Sequence, residues 1–270
     1  MDVPIEIYQL ILFEADFLTQ IRMRQINRIL YAKLEINNFY HIEQKYSDLL
    51  SDQILAPHPF ITELNARANQ LITNLAHLTR LEKLDTTHSG IDDAAIKNNF
   101  ALRELYASHN HKIMNVNHLT RLEKLDVFGR CGIDDVGISD LNLKELYATH
   151  NSKITNINHL IGLETLIISG FCGLENDGIS GLTNLTRLKV SNNPRITDIN
   201  SLTRLKVLHA TGSACELGLE GIVNLDLEEM YIEENWKIVE WLPKGYFYFL
   251  DQGITQRMLN EWLSRGPFLG

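Results

Sequence analysis

The nine residues HLTRLEKLD occur at 77–85 and again, unchanged, at 118–126. A repeat of this kind constrains the fold more than composition does, because every copy must build the same local structure and bury it against its neighbours. The similarity extends well beyond those nine letters. A tetrad L-x-x-L, or a conservative variant, opens at Ile61, Leu81, Leu102, Leu122, Leu143, Leu163, Leu185, Leu205 and Leu227. Its successive spacings are 20, 21, 20, 21, 20, 22, 20 and 22 residues, so two unit types alternate with a combined period of 41 or 42. The first type is clearest as LRELYASHNHKIMNVNHLTR and LKELYATHNSKITNINHLIG. The second is clearest as LEKLDVFGRCGIDDVGISDLN and LETLIISGFCGLENDGISGLTN.

Counting from the opening Leu, the pattern L-x-x-L-x-Φ-x-x-N puts apolar side chains at positions 0, 3 and 5. The step from 3 to 5 is the two-residue period of a short strand. A unit of about 20 residues leaves a return leg too short for a long helix, which predicts extended or 3-10 segments there. No unit covers its apolar face alone, and nine stacked in one parallel sheet share a core. Over residues 61–245 the chain resembles leucine-rich repeat proteins. The expected fold is an α/β solenoid, a horseshoe with short parallel strands on the concave face and an extended or 3-10 convex side.

The unit types differ at the turn after the strand. Type one carries Asn69, Asn110, Asn151, Asn193 and Asn235, each eight residues after its opening apolar residue. A stacked amide column satisfies turn backbone groups that burial would otherwise leave unpaired. Type two carries Ser89, Cys131, Cys172 and Cys215 at or near the same place, and CGIDDVGI and CGLENDGI resemble the cysteine-containing repeats of F-box leucine-rich proteins. Like units lie two strands apart, roughly 9 to 10 Å, beyond the ~7 Å Cα separation a disulfide tolerates. The cysteines therefore read as buried reduced thiols, which suit a reducing compartment.

His77, His118 and His159 recur with the period, which marks them as building blocks. His88, His109 and His150 form a second column near the strand ends. Zinc ligands from adjacent strands are conceivable there, but Gly129 interrupts the column, and no metal or cofactor is expected. A net charge of −9 argues against nucleic acid as the main partner. The sequence has no run of 18 apolar residues and no basic leader, which predicts a cytoplasmic or nuclear, non-secreted chain that does not engage a membrane. It also has no Gly-rich phosphate loop, HExxH, GxSxG or CxxC, so catalysis is not expected.

Residues 1–45 break the repeat and read as helices, with Pro4 in a first turn, apolar residues Ile7, Leu10 and Ile11 on one side, and a third helix around 38–50. They would serve at least as a cap for the solenoid. DVPIEIYQLILFEADFLTQIRMRQINRILYAKL also resembles an F-box: Val3, Pro4, Glu6, Ile7 and Ile11 match its opening, Phe17, Leu18 and Ile21 its middle, and Ile26, Asn27, Arg28 and Tyr31 its end. Val3 replaces the usual Leu, and no Trp closes the motif. The resemblance implies a substrate-recognition adaptor of a cullin-RING ubiquitin ligase. Val3, Pro4, Glu6, Ile7, Ile11, Leu18 and Ile26 would dock the ligase's linker subunit, and the repeats would hold a target protein for ubiquitination. The Asn- and Ile-rich composition is similar to that of proteins of amoebae and their giant DNA viruses.

Outward strand positions nominate the target-binding residues Asp85, Tyr106, Asp126, Phe128, Tyr147, Lys189, His209 and Tyr231. The alternation Glu63, Lys83, Glu104, Lys124, Glu145 reads instead as a structural charge ladder. The domain division is a helical domain at 1–45, a proline-stiffened connector at 46–60, the repeats at 61–245 and a C-terminal cap at 246–270, forming a monomer on its own.

Overall fold

The computed structural model describes residues 19, 20, 22 and 36–239. The F-box-like helices and the C-terminal cap expected from the sequence lie outside the described residues. Ten short strands form one parallel sheet in chain order. They are β1 (Asn38–Phe39), β2 (Glu63–Asn65), β3 (Lys83–Asp85), β4 (Glu104–Tyr106), β5 (Lys124–Asp126), β6 (Glu145–Tyr147), β7 (Thr165–Ile167), β8 (Arg187–Lys189), β9 (Val207–His209) and β10 (Glu229–Tyr231). Strands β2 to β10 each begin two residues after the opening residue of one of the nine tetrads.

Pairing is in register throughout, so Leu64, Leu84, Leu105, Leu125, Leu146, Leu166, Leu188, Leu208 and Met230 form one continuous column. Every member of that column is fully buried. Each leucine there contributes about 1.5–3 kcal/mol through burial. The return legs are mostly turns, with 3-10 segments at Val136–Ile138 and Leu219–Gly221. Within the nine repeats two depart from the expected extended or 3-10 form: Asn176–Ile179 closes a single α-helical turn, entered from the extended backbone of Glu175, and Trp236–Val239 closes another after β10.

A second set of polar groups binds each coil to the next. Asp52, Asp93, Asp135 and Asn176 recur at spacings of 41, 42 and 41 residues. Each accepts two successive backbone N–H groups from the following coil, at residues 73 and 74, 114 and 115, 155 and 156, and 197 and 198. The Nε2 atoms of His77, His118 and His159 reach the carbonyls of Leu55, Ile96 and Ile138 at 3.4, 3.2 and 3.0 Å. The period-locked histidines thus tie coil to coil.

Both series begin before residue 61, which corrects the reading of residues 38–60. In place of a third helix and a connector, the chain makes β1, then the short helices α1 (Gln44–Ser47) and α2 (Asp52–Leu55). Phe39 pairs with Leu64, and Ile36, Phe39, Ile42, Leu50 and Leu55 join the core. This segment is a divergent coil of the solenoid: Asp52 and Leu55 occupy the slots of Asp93 and Ile96, and Asn69 donates back to the carbonyls of Ser47 and Leu50.

The amide column is the most demanding part of the interior. Asn69, Asn110, Asn151, Asn193 and Asn235 are all essentially buried. The Asn151 Nδ2 donates to the carbonyls of Val127 and Ile133 at 3.1 and 3.4 Å. Its Oδ1 accepts the N–H groups of Lys153 and Ile154 at 2.8 and 3.3 Å. Replacing it by Ala orphans four backbone groups, three of them on fully buried residues, so Asn151→Ala should lower the unfolding free energy by about 3 kcal/mol or more. The exposed Asn224→Ala should stay within about 0.5 kcal/mol of the parent. Urea denaturation of the two variants checks the difference.

Candidate binding surface

The open face of the sheet carries positions 2, 4 and 6 of each coil, because strand side chains alternate and positions 3 and 5 point into the core. Position 2 forms the expected ladder. Lys83 reaches Glu104 at 3.4 Å and Lys124 reaches Glu145 at 3.1 Å. The hydroxyls of Tyr106 and Tyr147 donate to Glu104 and Glu145, both at 2.9 Å. Lys83 lies 4.3 Å from the ring centroid of Tyr40, and Lys124 lies 5.1 Å from that of Tyr147. Burial, with the Glu104 carboxylate beside it, pushes the Tyr106 phenol up to about 12. Burial alone would raise Glu145, but its hydrogen bonds from Lys124 and Tyr147 outweigh that and hold it below the ordinary carboxylate value. These groups are mutually satisfied, which fits a structural role.

Position 4 behaves differently. Asp85, Tyr106, Asp126, Phe128 and Tyr147, nominated from the sequence, come together with Arg67, Thr87 and Ser108 around a cavity of about 370 Å3. The Oδ1 of Asp85 accepts the Thr87 N–H at 2.8 Å. The Oδ1 of Asp126 accepts the Phe128 N–H at 2.9 Å and the Ser108 hydroxyl at 2.8 Å. Those bonds fix the orientation of both carboxylates. Among the described residues neither has a cationic side chain within ion-pair distance.

A second cavity, of about 770 Å3, adjoins the first and shares Phe128 and Thr149 with it. Ile167, Phe171, Lys189 and the hydroxyl residues Ser169, Ser191 and Thr211 line it, and no carboxylate does. Phe171 is 70% exposed. The other two nominated residues, His209 and Tyr231, line neither cavity and stack face to face at 4.3 Å further along the sheet. The seven residues nominated for linker-subunit docking, Val3, Pro4, Glu6, Ile7, Ile11, Leu18 and Ile26, lie outside the described residues.

The rim shows what position-by-position reading missed. Position 7 is left-handed in each of the nine coils from residue 61 on, at Ala68, His88, His109, Gly129, His150, Gly170, Asn192, Gly212 and Glu234. His88 and His109 stack at 4.6 Å, and His109 and His150 meet Phe128 edge-on at 5.0 and 5.8 Å. The His109 ring lies over Gly129, where φ is +72° and a Cβ would collide with the imidazole. Gly129 therefore makes room for the histidine before it. Among the described residues no three His, Cys, Asp or Glu side chains are grouped to hold a metal ion. The three cysteines are buried and unpaired, and burial pushes the Cys131 thiol up to about 11, which suppresses its reactivity.

Fold and face together define a leucine-rich repeat solenoid. The functional domain of InlJ from Listeria monocytogenes, described as including a cysteine ladder, is similar at a TM-score of 0.51 and 24% identity. That match covers 76% of this chain but 48% of the other, so this chain spans about half its length. An internalin C2 from Listeria monocytogenes is similar at a TM-score of 0.47 and 18% identity, covering 64% of this chain and 76% of that one. The Leptospira interrogans protein LIC12759 also has a TM-score of 0.47 and 18% identity, covering 72% and 59%. No protein-family model matches the sequence, and no curated protein matches it.

The histidine rim carries a pH dependence. Burial, then the neighbouring His88 and Arg130, holds His109 below its ordinary value of 6.5. As pH falls the unfolded chain takes up this proton first, so the contribution is intact above 6.5 and is lost as pH falls through the folded value. His109→Asn places in this slot the residue that Asn192 supplies over Gly212. The variant should lose less in Tm than the parent between about pH 7.5 and about pH 5, which thermal melts at the two pH values measure.

Proposed function

We propose that the protein is a protein-interaction module whose open sheet face receives a segment of a partner protein, and that it carries out no catalysis of its own. The observation that carries this reading is the pair of adjoining cavities on either side of Phe128. Their linings differ in charge, since Asp85 and Asp126 line the first and Lys189 without a carboxylate lines the second. Exposed aromatics beside charged groups are the chemistry of interface anchors. Among the described residues no helix is long and apolar enough to cross a membrane. Three unpaired buried thiols fit a reducing compartment, cytoplasmic or nuclear.

A finer reading rests on the sequence alone. The ordered match of Val3, Pro4, Glu6, Ile7 and Ile11 to the opening of an F-box supports a cullin-RING ligase adaptor, in which the repeats hold the target.

Two experiments separate these levels. A photo-crosslinking residue in place of Tyr147 on the open face should trap partner protein, and one in place of the exposed Ile161 on a return leg should not. Adducts confined to position 161 would overturn the interaction reading. In a pull-down, purified protein should retain the ligase linker subunit and lose it on combining Pro4→Ala with Ile7→Ala. No retention by folded parent protein removes the adaptor reading and leaves the interaction module standing.

A further inference from the structure

We infer that the two cavities accept one extended peptide segment, with an arginine side chain entering between Asp85 and Asp126 and an acidic side chain meeting Lys189 about six residues away. This deepens the interaction reading above and rests on it. The first support is the division of charge along the face. The first cavity holds two carboxylates against one guanidinium, that of Arg67 at its rim. The second holds Lys189 with no carboxylate, and Arg187 stands exposed on the same strand. Neither Arg187 nor Lys189 makes an ion pair among the described residues.

Burial is the second support. Asp85 is only 9% exposed and makes no ion pair among the described residues. Its Oδ1 accepts the Thr87 N–H, and an incoming cation would add the charged partner that its carboxylate lacks. Asp85 and Asp126 are on β3 and β5, two strands apart, roughly 9 to 10 Å at ordinary strand spacing. A single ammonium does not serve two carboxylates at that separation. The planar fork of a guanidinium, with donors on several sides, does so far better. Tyr106 on the intervening strand, with Tyr147 and Phe128 beyond, supplies the wall against which the arginine stem packs.

Geometry sets the spacing. The arginine site centres on β4, between Asp85 and Asp126, and Lys189 on β8 is four strands beyond it, roughly 19 to 20 Å across the sheet. An extended chain advances about 3.3 Å per residue, so about six residues cover that distance. Phe128 lies between the two cavities, and Phe171 and Ile167 offer apolar contact to the residues between the charged ends.

The test uses capped peptides carrying one Arg and one Glu separated by one to eight positions in a Gly-Ser background, titrated at low salt by fluorescence anisotropy. Affinity should peak at a separation of about six, and replacing Arg by Lys should weaken it severalfold. Asp126→Asn, which keeps the oxygen that accepts the Phe128 and Ser108 bonds, and Lys189→Met should each weaken it at least tenfold with unchanged melting temperature. Combining Asp126→Asn with Lys189→Met should abolish the spacing preference. Flat affinity across spacings, no measurable binding, or full binding by Asp126→Asn would overturn the inference. Crosslinking of a partner through position 147 alongside any of those results would leave the interaction reading intact and discard only this peptide chemistry.

Discussion

The solenoid depends on a buried asparagine placed once in every second coil. A parallel sheet of three-residue strands must turn sharply after each strand, and each turn leaves carbonyls and N–H groups inside the protein. Water cannot reach them, so side chains must pair them. The Asn110 amide illustrates the solution: it donates to the carbonyls of Thr86 and Ile91 at 3.2 and 3.0 Å and accepts from Lys112 and Ile113 at 2.9 and 3.3 Å. One side chain thereby joins two coils. In the alternate coils thiols take part in the same work, as where Asn193 donates to the Cys172 sulfur at 3.1 Å and that thiol reaches the Ile168 carbonyl at 3.5 Å.

Around this column the polar groups divide into two classes. One is locked to the 41-residue period: the asparagines, the acceptors Asp52, Asp93, Asp135 and Asn176, and the bridging histidines His77, His118 and His159. Each is spent on a backbone group of a neighbouring coil. The other class faces outward and follows the period only as far as β6: Asp85 recurs as Asp126 and Tyr106 as Tyr147, 41 residues on, but Ile167 and Lys189 take those places on β7 and β8. Change there leaves the interior bonding intact.

That division explains what the sequence disclosed. Strands β2 to β10, the inward leucines and the asparagine column were legible because periodicity is the signature of groups that must stack. The outward residues could be listed from the two-residue alternation, and five of the eight nominated do converge on one cavity. The first coil was not legible. It spans 25 residues from Ile36 to Ile61, replaces the second leucine of its tetrad by Phe39, and inserts α1 ahead of Asp52. Only the structure reveals that Asp52 and Leu55 occupy repeat slots. The histidine rim was also hidden, because its arrangement depends on left-handed backbone at position 7 and on the space over Gly129. Neither is a property of residue type along the strand.

The two classes also act on one another. The paired ladder at position 2 holds Tyr106 and Tyr147 by their hydroxyls, so the cavity walls stand in place before any partner arrives. The turn N–H groups of Thr87 and Phe128 orient Asp85 and Asp126 in the same way. A surface arranged like this gives up little side-chain freedom on binding, and most of the ordering cost falls on the partner. The inward groups therefore make a rigid frame, and the outward groups mounted on it supply recognition. Selection can alter the second without dismantling the first, which is how the outward position passes from Asp and Tyr on β3 to β6 to Ile167 and Lys189 on β7 and β8 while the interior stays regular.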